Sequence, residues 1–568
     1  MPSLLPTPWV HLTVQSYPLD YPLGVVVSVD IDARVREILS SYAGDGTNVA
    51  WLLCDRHPPE SLALTVVDED LSTTRLTYAD LTESSRRFAQ ILTDRGIGQG
   101  DRVATLMGKS ADLVTVLLGI WRVGAVCVPL FTAFAEDAVT SRLTNSKTKL
   151  VVVDAAYRPK VATTGAWDVL VAGGAEDSLT AALTSVSADT RPSVAVGGRG
   201  ALVHMFTSGT TGTPKGVVHP VSYIAGWHSY LEFALGVRED SVFWCAADPG
   251  WAYGLYTAII APLAAGVPTI LTRGGFSAAA TWDVLSQLEV TDYAAAPTVY
   301  RGLRAEHHSQ PNTLALRRLS SAGEPLTPEV NLWAEKELGL LVHDHYGQTE
   351  LGMPAGFPHH PDVAVPVVSG AMGVALPGWD LTVLENDRDE PAPAGTVGRL
   401  AVVVAASLMM TFTEYAAGRG DAGRFTADKK HFLTGDTASI DADGILHFSS
   451  RDDDIIIMAG YRIGPFDVES VLVQHPAVRE CAVVAAPDEV RGEVIEAYVI
   501  AAPDFDQDPG EALAHELQQW VKTKYAAHAY PRRVHFVDTL PKTPSGKIQR
   551  AQLRQQRRAE LSRQETHS

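Results

Sequence analysis

Cysteine is scarce in this sequence, with four residues among 568. Cys54, Cys127, Cys245 and Cys481 are far apart, and no two of them have the Cys-x-x-Cys spacing that is typical of zinc and redox sites. A disulfide scaffold or a zinc site is therefore not expected. We expect free, buried thiols in a reducing compartment.

Long hydrophobic runs and early positive charge are also missing. The most apolar stretch, from Tyr256 to Leu271, is interrupted by Pro262, Gly266 and Pro268, so it is too short to cross a membrane as a helix. The first basic residue is Arg34, whereas a secretory signal needs positive charge at its start. The sequence predicts a cytoplasmic protein without stable membrane insertion.

Basic residues are outnumbered by acidic ones, 46 to 66, which gives a formal net charge of -20. Nucleic acids and anionic membranes bind basic surfaces, so neither is expected as a partner. A small polyanion could still bind a local cluster of Lys, Arg and backbone N–H groups. A chain of 568 residues is too long for one hydrophobic core, so at least two domains are expected.

Strand-like and helix-like segments alternate along most of the chain. Residues 1–27 are rich in proline and weakly patterned, and they are predicted to form an N-terminal arm. Thr77 and Asp80 predict a capping box at the start of a helix that runs to Arg95. Buried strands and helices then alternate, which predicts an α/β fold with parallel sheets in a large domain, residues 28–452.

The pattern changes twice in the last third of the chain. From Leu381, short strand segments separated by Gly, Pro and Asp turns predict a small β-rich subdomain within the large domain. After the acidic run that ends at Asp454, helical and strand segments predict a small α+β C-terminal domain, residues 453–568. The charged tail after Leu553 is expected to fray.

The stretch FTSGTTGTPKGVVH, from Phe206 to His219, has the composition of a phosphate-binding loop. Its glycines allow close backbone approach, and its hydroxyls and Lys215 can contact phosphate oxygens. It lacks the usual nucleoside-triphosphate pattern, because Pro214 precedes the lysine and Gly216 follows it. The apolar run before it predicts a strand and favours a ligand, although a loop without a ligand stays open.

Five further motifs follow this loop in an order that resembles the adenylate-forming superfamily, which contains acyl-CoA synthetases, carrier-protein adenylation domains and firefly-type luciferases. The acetyl-CoA and medium-chain acyl-CoA synthetases are the most similar members. The motifs are SAGEP (321–325), YGQTE (346–350), TGD (434–436), RDDDIIIMAGYRIGPFDVES (451–470) and PKTPSGKIQR (541–550). The resemblance implies that a carboxylic acid is joined to AMP and then transferred to a thiol.

The resemblance also implies which residues bind the nucleotide. Tyr346 is expected to pack on the adenine, Asp436 to accept hydrogen bonds from both ribose hydroxyls, and Arg451 to lie near ribose or phosphate. The full set is Thr207, Ser208, Gly209, Thr210, Thr211, Gly212, Lys215, Gly323, Glu324, Pro325, Tyr346, Gly347, Gln348, Asp436, Arg451 and Arg462.

Three residues are expected to be catalytic by the same resemblance. Lys547 would bridge the substrate carboxylate and the α-phosphate as charge develops. Thr349 would bind the α-phosphate, and Glu350 is the hard oxygen ligand that Mg²⁺ prefers. ATP and Mg²⁺ are thus the expected cofactors, with coenzyme A as a substrate.

The second half of the reaction needs room for a thiol where the lysine was. The resemblance implies that the small C-terminal domain is mobile and rotates about a hinge at Asp453. Gly460 would then line the tunnel for the pantetheine arm, and Arg462 would contact phosphate in one of the two poses.

The acid pocket is expected to be formed by Trp251, Ala252, Tyr253, Gly254 and Gly347. Acetyl-CoA synthetases have a tryptophan at the position of Gly347, and its loss is expected to free a large volume. The sequence thus favours a short- to medium-chain or similarly bulky acid.

Other activities stay open at this point. They are a ligase that acts in trans on a carrier protein, an acetyl-CoA synthetase, and a catalytically silent nucleotide-binding protein. The intact Lys547, Glu350 and Asp436 speak against the silent protein. The expected partners are the acid, ATP and coenzyme A, and a homodimer is left open.

Overall fold

The computed structural model describes residues 30–207, 215–306, 310–311, 313–416, 418, 420–452, 454–458, 461–488, 492–502, 510–526, 529–543 and 547–565. The predicted N-terminal arm, residues 1–27, lies outside this part of the chain.

The described ranges contain twenty-four strands, numbered in chain order. They are β1 (Leu62–Val67), β2 (Thr73–Thr77), β3 (Arg102–Leu106), β4 (Val126–Pro129), β5 (Thr148–Asp154), β6 (Asp168–Ala172), β7 (Ala201–Phe206), β8 (Gly216–Pro220), β9 (Phe243–Cys245), β10 (Thr269–Thr272), β11 (Asp292–Ala295), β12 (Arg318–Ala322), β13 (Val342–Gln348), β14 (Gly352–Gly356), β15 (Val374–Ala375), β16 (Leu381–Leu384), β17 (Gly398–Val403), β18 (His431–Ile440), β19 (Leu446–Arg451), β20 (Ile456–Met458), β21 (Tyr461–Ile463), β22 (Val478–Asp488), β23 (Gly492–Ala501) and β24 (Arg533–Phe536).

The described residues also form fourteen α-helices. They are α1 (Ile31–Ala43), α2 (Tyr78–Asp94), α3 (Ala111–Arg122), α4 (Glu136–Ser146), α5 (Ser178–Ser185), α6 (Tyr223–Ser229), α7 (Ala252–Leu255), α8 (Ala261–Ala265), α9 (Ala278–Gln287), α10 (Pro297–Ala305), α11 (Pro328–Leu338), α12 (Pro465–Leu472), α13 (Glu511–Lys524) and α14 (Arg550–Glu565).

Two large parallel sheets form the bulk of the molecule. A six-stranded sheet has the order β6-β5-β3-β4-β7-β8, and a nine-stranded sheet has the order β15-β14-β13-β12-β11-β9-β10-β1-β2. Neighbouring strands are parallel from β6 to β7 and from β13 to β1, and antiparallel strands lie at the edges. The predicted α/β fold with parallel sheets is confirmed.

Two smaller sheets follow in sequence. Strands β16 to β19 form an antiparallel four-stranded sheet, which is the predicted β-rich subdomain. A five-stranded sheet of β20 to β24 belongs to the C-terminal residues. These residues have a separate apolar cluster that extends from Ile456 to Ala529. The domain boundary at residues 452 and 453 stays a prediction.

The start of α2 confirms the predicted capping box. The Thr77 hydroxyl accepts a hydrogen bond from the backbone N–H of Asp80 at 3.2 Å, and the Asp80 carboxylate accepts one from the backbone N–H of Thr77 at 2.8 Å. Two backbone donors of the first turn are thus satisfied, and the helix ends at Asp94, close to the predicted end at Arg95.

The prediction for the tail after Leu553 is wrong. Helix α14 continues to Glu565, and Leu553 and Arg557 on it are buried. Arg557 donates to the buried carboxylate of Glu496 on β23 at 2.7 Å. The residues of this helix are mostly strong helix formers, and one face docks on the C-terminal sheet, so its charge does not prevent order.

Candidate active site

The phosphate-loop stretch connects the antiparallel strands β7 and β8. Residues 207 and 215 close the loop, because the Thr207 N–H donates to the Lys215 carbonyl at 2.9 Å. The Lys215 ammonium lies 5.0 Å from the centre of the Tyr415 ring, in a cation–π arrangement. Ser208, Gly209, Thr210, Thr211 and Gly212 lie outside the described residues.

The end of β13 and the turn after it place Thr349 and Glu350. The Thr349 carbonyl accepts hydrogen bonds from His219 Nε2 at 2.7 Å and from the Tyr223 hydroxyl at 3.0 Å. A carbonyl only accepts, so His219 carries its proton on Nε2, and Nδ1 accepts from the Tyr256 hydroxyl at 2.9 Å. Burial lowers the pKa of His219 to about 3, so the ring is neutral and holds the turn in place.

Glu350 is buried beside a tyrosine and an arginine. The Tyr415 hydroxyl donates to Glu350 Oε1 at 2.6 Å, and Arg424 Nη2 lies 4.0 Å from the same oxygen. Arg424 Nη1 donates to the carbonyls of Leu433 and Thr434, which directly precede the turn to Asp436. Tyr415 and Arg424 therefore both contact Glu350 at Oε1.

Asp436 lies on β18 directly opposite Arg451 on β19. Its carboxylate accepts hydrogen bonds from the Tyr346 hydroxyl at 2.5 Å and from Gln348 Nε2 at 2.6 Å. Burial raises the pKa of Asp436 above its ordinary value, and Arg451 and these two donors oppose that shift. The fold thus brings together Tyr346, Gln348, Asp436 and Arg451, four of the residues expected to bind the nucleotide.

The SAGEP loop follows β12 at the same edge of the nine-stranded sheet. Gly323 has φ +107, and a Cβ there would meet no atom within 4 Å, so the glycine serves the backbone conformation and leaves open space. Glu324 is paired with Arg301 at 2.7 Å. Asp344 on β13 accepts a hydrogen bond from the Leu326 N–H at 3.2 Å, and burial raises the pKa of Asp344 to about 8. This carboxyl ties the loop, including Pro325, to β13.

Lys547 reaches this cleft from the C-terminal residues. Residues 543 and 547 are joined by a hydrogen bond of 2.7 Å from the Thr543 N–H to the Lys547 carbonyl. The Lys547 residue is exposed, yet nearby protein lowers its pKa: desolvation and Arg451 lower it, and the charges of Glu324 and Asp436 oppose the decrease. Four charged side chains of the cleft thus interact electrostatically.

The contact between the C-terminal residues and the rest of the molecule runs along β19 and α12. Ser449 Oγ donates to the Asp467 carboxylate at 2.9 Å, and the Phe448 and Phe466 rings pack edge to face with centroids 5.6 Å apart. The contact combines a hydrogen bond with an aromatic pair, so it is partly polar.

The segment 251–254, after β9, carries four of the residues expected at the acid pocket. Trp251 packs against Phe131 and Phe134, with ring centroids 5.2 and 5.7 Å apart. Ala252 is buried. A Cβ on Gly254 would lie 2.0 Å from the Asp248 carbonyl oxygen, so close packing leaves room only for glycine at this position.

Tyr253 begins a chain of hydrogen bonds. His345 Nε2 contacts the Phe357 carbonyl at 3.1 Å, so it must donate, and Nδ1 must accept from the Tyr230 hydroxyl at 2.7 Å. Burial lowers the pKa of His345 to about 3, so the ring is neutral. Tyr230 then accepts from the Tyr253 hydroxyl at 3.2 Å. The lone pairs of the Tyr253 oxygen are left for another donor.

The structure corrects one premise about Gly347. The absence of a side chain was expected to free a large volume, yet a Cβ there would lie 2.3 Å from the Gly352 carbonyl oxygen and 2.4 Å from the Met353 sulfur. The backbone of the bulged β13–β14 pair and the Met353 side chain therefore occupy the space next to Gly347.

Three other expected residues stay untested by this geometry. Asp453 and Gly460 lie outside the described residues. Arg462 is on β21, paired in register with Ile457, and its side chain is outside the description.

Sequence reasoning missed several residues that shape the cleft. His219 closes the quoted loop stretch, yet it was not singled out, because a buried histidine leaves no spacing signal. Tyr415 and Arg424 lie in a segment without a motif, and their nearness to Thr434 and Glu350 arises from the fold alone. Among the described residues, no group of three or more His, Cys, Asp or Glu could hold a metal ion. None of the described helices is long and apolar enough to span a bilayer.

Comparisons with known proteins agree with this geometry. The AMP-binding enzyme family matches residues 54–412, and the AMP-binding enzyme C-terminal domain matches residues 467–547. The acetyl-coenzyme A synthetase of Bacillus subtilis is 34% identical over 89% of this chain and 90% of its own.

Solved structures give the same result. A Brucella canis acyl-CoA synthetase is 42% identical, covers 95% of this chain and 98% of its own, and has a TM-score of 0.72. A benzoate CoA ligase from Burkholderia xenovorans is 28% identical, covers 89% of this chain and 100% of its own, and has a TM-score of 0.79. The chain belongs to the AMP-binding enzyme family, and it is an AMP-forming acid–CoA ligase.

Proposed function

We propose that this ligase activates a short- to medium-chain or similarly bulky carboxylic acid through an acyl-adenylate and transfers the acyl group to coenzyme A. The observation that carries the proposal is the pair Gly347 and Met353. A methionine side chain is flexible and adapts its rotamer to its neighbours, whereas an indole is rigid. A pocket limited by Met353 can therefore widen for a longer acid.

In the proposed first step, a carboxylate oxygen attacks the α-phosphorus of ATP, the bond from that phosphorus to the bridging oxygen breaks, and pyrophosphate leaves. Lys547 would stabilise the charge that develops between the two anions. Tyr346 and the open space at Gly323 would hold the adenine, and Asp436 would exchange its contacts with Tyr346 and Gln348 for the ribose hydroxyls.

Glu350 fits a magnesium ion. Mg²⁺ is commonly held by one or two carboxylates together with substrate phosphates and water, and here a single buried carboxylate faces the phosphate-loop end. When bound, the ion neutralises phosphate charge. Glu350 would hold it, and Thr349 would orient the α-phosphate beside it.

In the proposed second step, the coenzyme A sulfur attacks the acyl carbonyl and AMP leaves. The thiol needs the space that Lys547 occupies, so the small domain would rotate about Asp453 and present Gly460. Coenzyme A is favoured over a carrier protein, because the compared enzymes are named as coenzyme A ligases.

A graded series of acids from acetate to octanoate, with benzoate, tests the proposal. Each buried methylene contributes about 0.8 kcal/mol, so butanoate should exceed acetate in kcat/KM by roughly fifteenfold. Met353→Ala should move the optimum to longer acids, whereas Met372→Ala, an equally buried methionine, should not.

Acetate is the second candidate, favoured by the occupied space beside Gly347. Acetate would be the substrate if wild type prefers it and Met353→Ala leaves that preference unchanged.

A further inference from the structure

We propose that Tyr415 and Arg424 form a brace between the two ends of the nucleotide site. The brace would keep Glu350, on the magnesium side, at a fixed distance from the turn Thr434–Asp436, on the ribose side. The roles of Glu350 and Asp436 rest on the proposed function, whereas the contacts of the brace are properties of the structure.

Tyr415 is anchored at the end of the phosphate loop. It is buried, and its ring packs edge to face on Phe412 with centroids 5.0 Å apart. The next residue, Ala416, donates its N–H to the Gly216 carbonyl at 2.8 Å, and the Lys215 ammonium lies over the Tyr415 ring. The tyrosine hydroxyl is thus fixed relative to the start of β8, directly after Lys215.

The direction of the hydrogen bonds follows from the donors. A guanidinium only donates, so Arg424 Nε donates to the Tyr415 oxygen at 3.2 Å. The Tyr415 proton is then free to go to Glu350 Oε1, at 2.6 Å. Both Tyr415 and Arg424 Nη2 approach Oε1, and neither of these contacts uses Oε2. The brace would therefore orient the carboxylate with Oε2 turned to a ligand.

The other side of Arg424 holds the ribose-side turn. Its Nη1 donates to the carbonyls of Leu433 and Thr434. Gly435 has φ +72, and a Cβ there would lie 2.5 Å from Nη1, so the turn leaves room for the guanidinium and for no further side chain. A planar fork can reach Tyr415 and the turn together, which a lysine ammonium cannot do.

Burial strengthens these contacts. The side chains of Arg424 and Glu350 are 19% and 6% exposed. Desolvation opposes the charge on Arg424, yet Tyr415, Glu350 and Asp436 outweigh it and raise the pKa of Arg424 above its ordinary value. The guanidinium stays charged and interacts electrostatically with Glu350 at one end of the site and with Asp436 at the other.

The brace predicts different effects for its two members. Without the Tyr415 hydroxyl, Glu350 loses its orientation, whereas Arg424 still holds the turn. Loss of the guanidinium releases both ends. Charge-assisted hydrogen bonds are worth about 1.5–3 kcal/mol, so each loss should weaken binding by roughly ten- to a hundredfold.

Calorimetric titration of the full chain tests the brace without turnover. Wild type, Tyr415→Phe and Arg424→Gln are each titrated with magnesium–ATP and with magnesium-free AMP. Tyr415→Phe should weaken magnesium–ATP at least tenfold and leave AMP within twofold. Arg424→Gln should weaken both. Tyr157→Phe and the exposed Arg388→Gln are the matched controls and should change neither.

The double variant completes the experiment. Its loss for magnesium–ATP should be smaller than the product of the single losses, because the two residues act as one unit. Three results would overturn the brace. They are equal weakening of AMP and magnesium–ATP binding by Tyr415→Phe, unchanged binding in either single variant, and losses in the double variant that equal the product of the single losses. Wild type that binds magnesium–ATP but shows no acid-dependent pyrophosphate exchange would overturn the proposed function, and the binding comparison would still decide the brace. Wild type that does not bind magnesium–ATP would overturn both.

Discussion

At the scale of single residues, one carbonyl group sets the direction of a whole chain of hydrogen bonds. The Phe357 carbonyl fixes the proton of His345 on Nε2, and Tyr230 and Tyr253 must then donate in turn. The Tyr253 oxygen is left with lone pairs and no spare proton. The sequence predicts that Tyr253 lines the acid pocket, where it would accept a hydrogen bond from the substrate.

This arrangement predicts a preference among acids of one shape. 3-Hydroxybutanoate can donate to Tyr253, whereas 3-oxobutanoate can only accept and 3-methylbutanoate can do neither. Wild type should favour the hydroxy acid over the oxo acid by about fivefold in kcat/KM, the value of one ordinary hydrogen bond. Tyr253→Phe should abolish the difference. A wild type that favours the oxo acid would show that Tyr253 donates.

Single residues also show what the sequence could not reveal. The motif residues Tyr346, Asp436 and Lys547 were singled out from the sequence, and the fold brings them to one cleft. The hydrogen bond from Tyr346 to Asp436 joins residues 90 positions apart, and no spacing rule contains it. For the same reason the position of Met353 beside Gly347 was not predicted, because it depends on the bulge between β13 and β14.

At the scale of elements, the sequence correctly predicted features that depend only on neighbouring residues. The capping box at Thr77 and the buried strand β5 were predictable, because a cap and an apolar run depend on adjacent residues. Helix α14 was wrongly predicted to fray. Most of its residues are charged or polar, and the sequence did not show that Leu553 and Arg557 are buried.

The ion pair of α14 gives a test of this element. The side chains of Arg557 and Glu496 are 4% and 3% exposed, and breaking a buried pair by removing one partner costs about 3–5 kcal/mol. Arg557→Ala should lower the free energy of unfolding of the C-terminal residues by that order in urea titrations. Arg563→Ala, an exposed arginine on the same helix, should change it by less than about 0.5 kcal/mol. Equal effects would mean that α14 is not docked as described.

At the scale of the whole molecule, the cleft joins residues from three sheets that share one core with residues from the C-terminal part, which has its own core. The phosphate loop belongs to the six-stranded sheet, Tyr346 and Glu350 to the end of β13 in the nine-stranded sheet, and Asp436 to the four-stranded sheet. Lys547 comes from the C-terminal residues, which contact the rest through β19 and α12. A site assembled in this way would lose one wall in the domain rotation proposed above, which suits a reaction with two different halves.

The central claim is that Lys547 serves adenylation and not thioester formation, and the two half-reactions can be measured separately. Lys547→Ala should lose acid-dependent formation of acyl-adenylate from ATP by at least a hundredfold, in the range found when one stabilising donor is removed. Lys542→Ala, in the same segment and paired with Glu480 at 2.7 Å, is the matched control and should keep it.

The deciding measurement is single-turnover formation of acyl-CoA by Lys547→Ala from supplied acyl-adenylate and coenzyme A. The account predicts a rate within about twofold of wild type, because in the proposed mechanism the lysine would leave the site before the thiol attacks. A loss as large as that of the adenylation step would contradict the account, and so would adenylation at the wild-type rate.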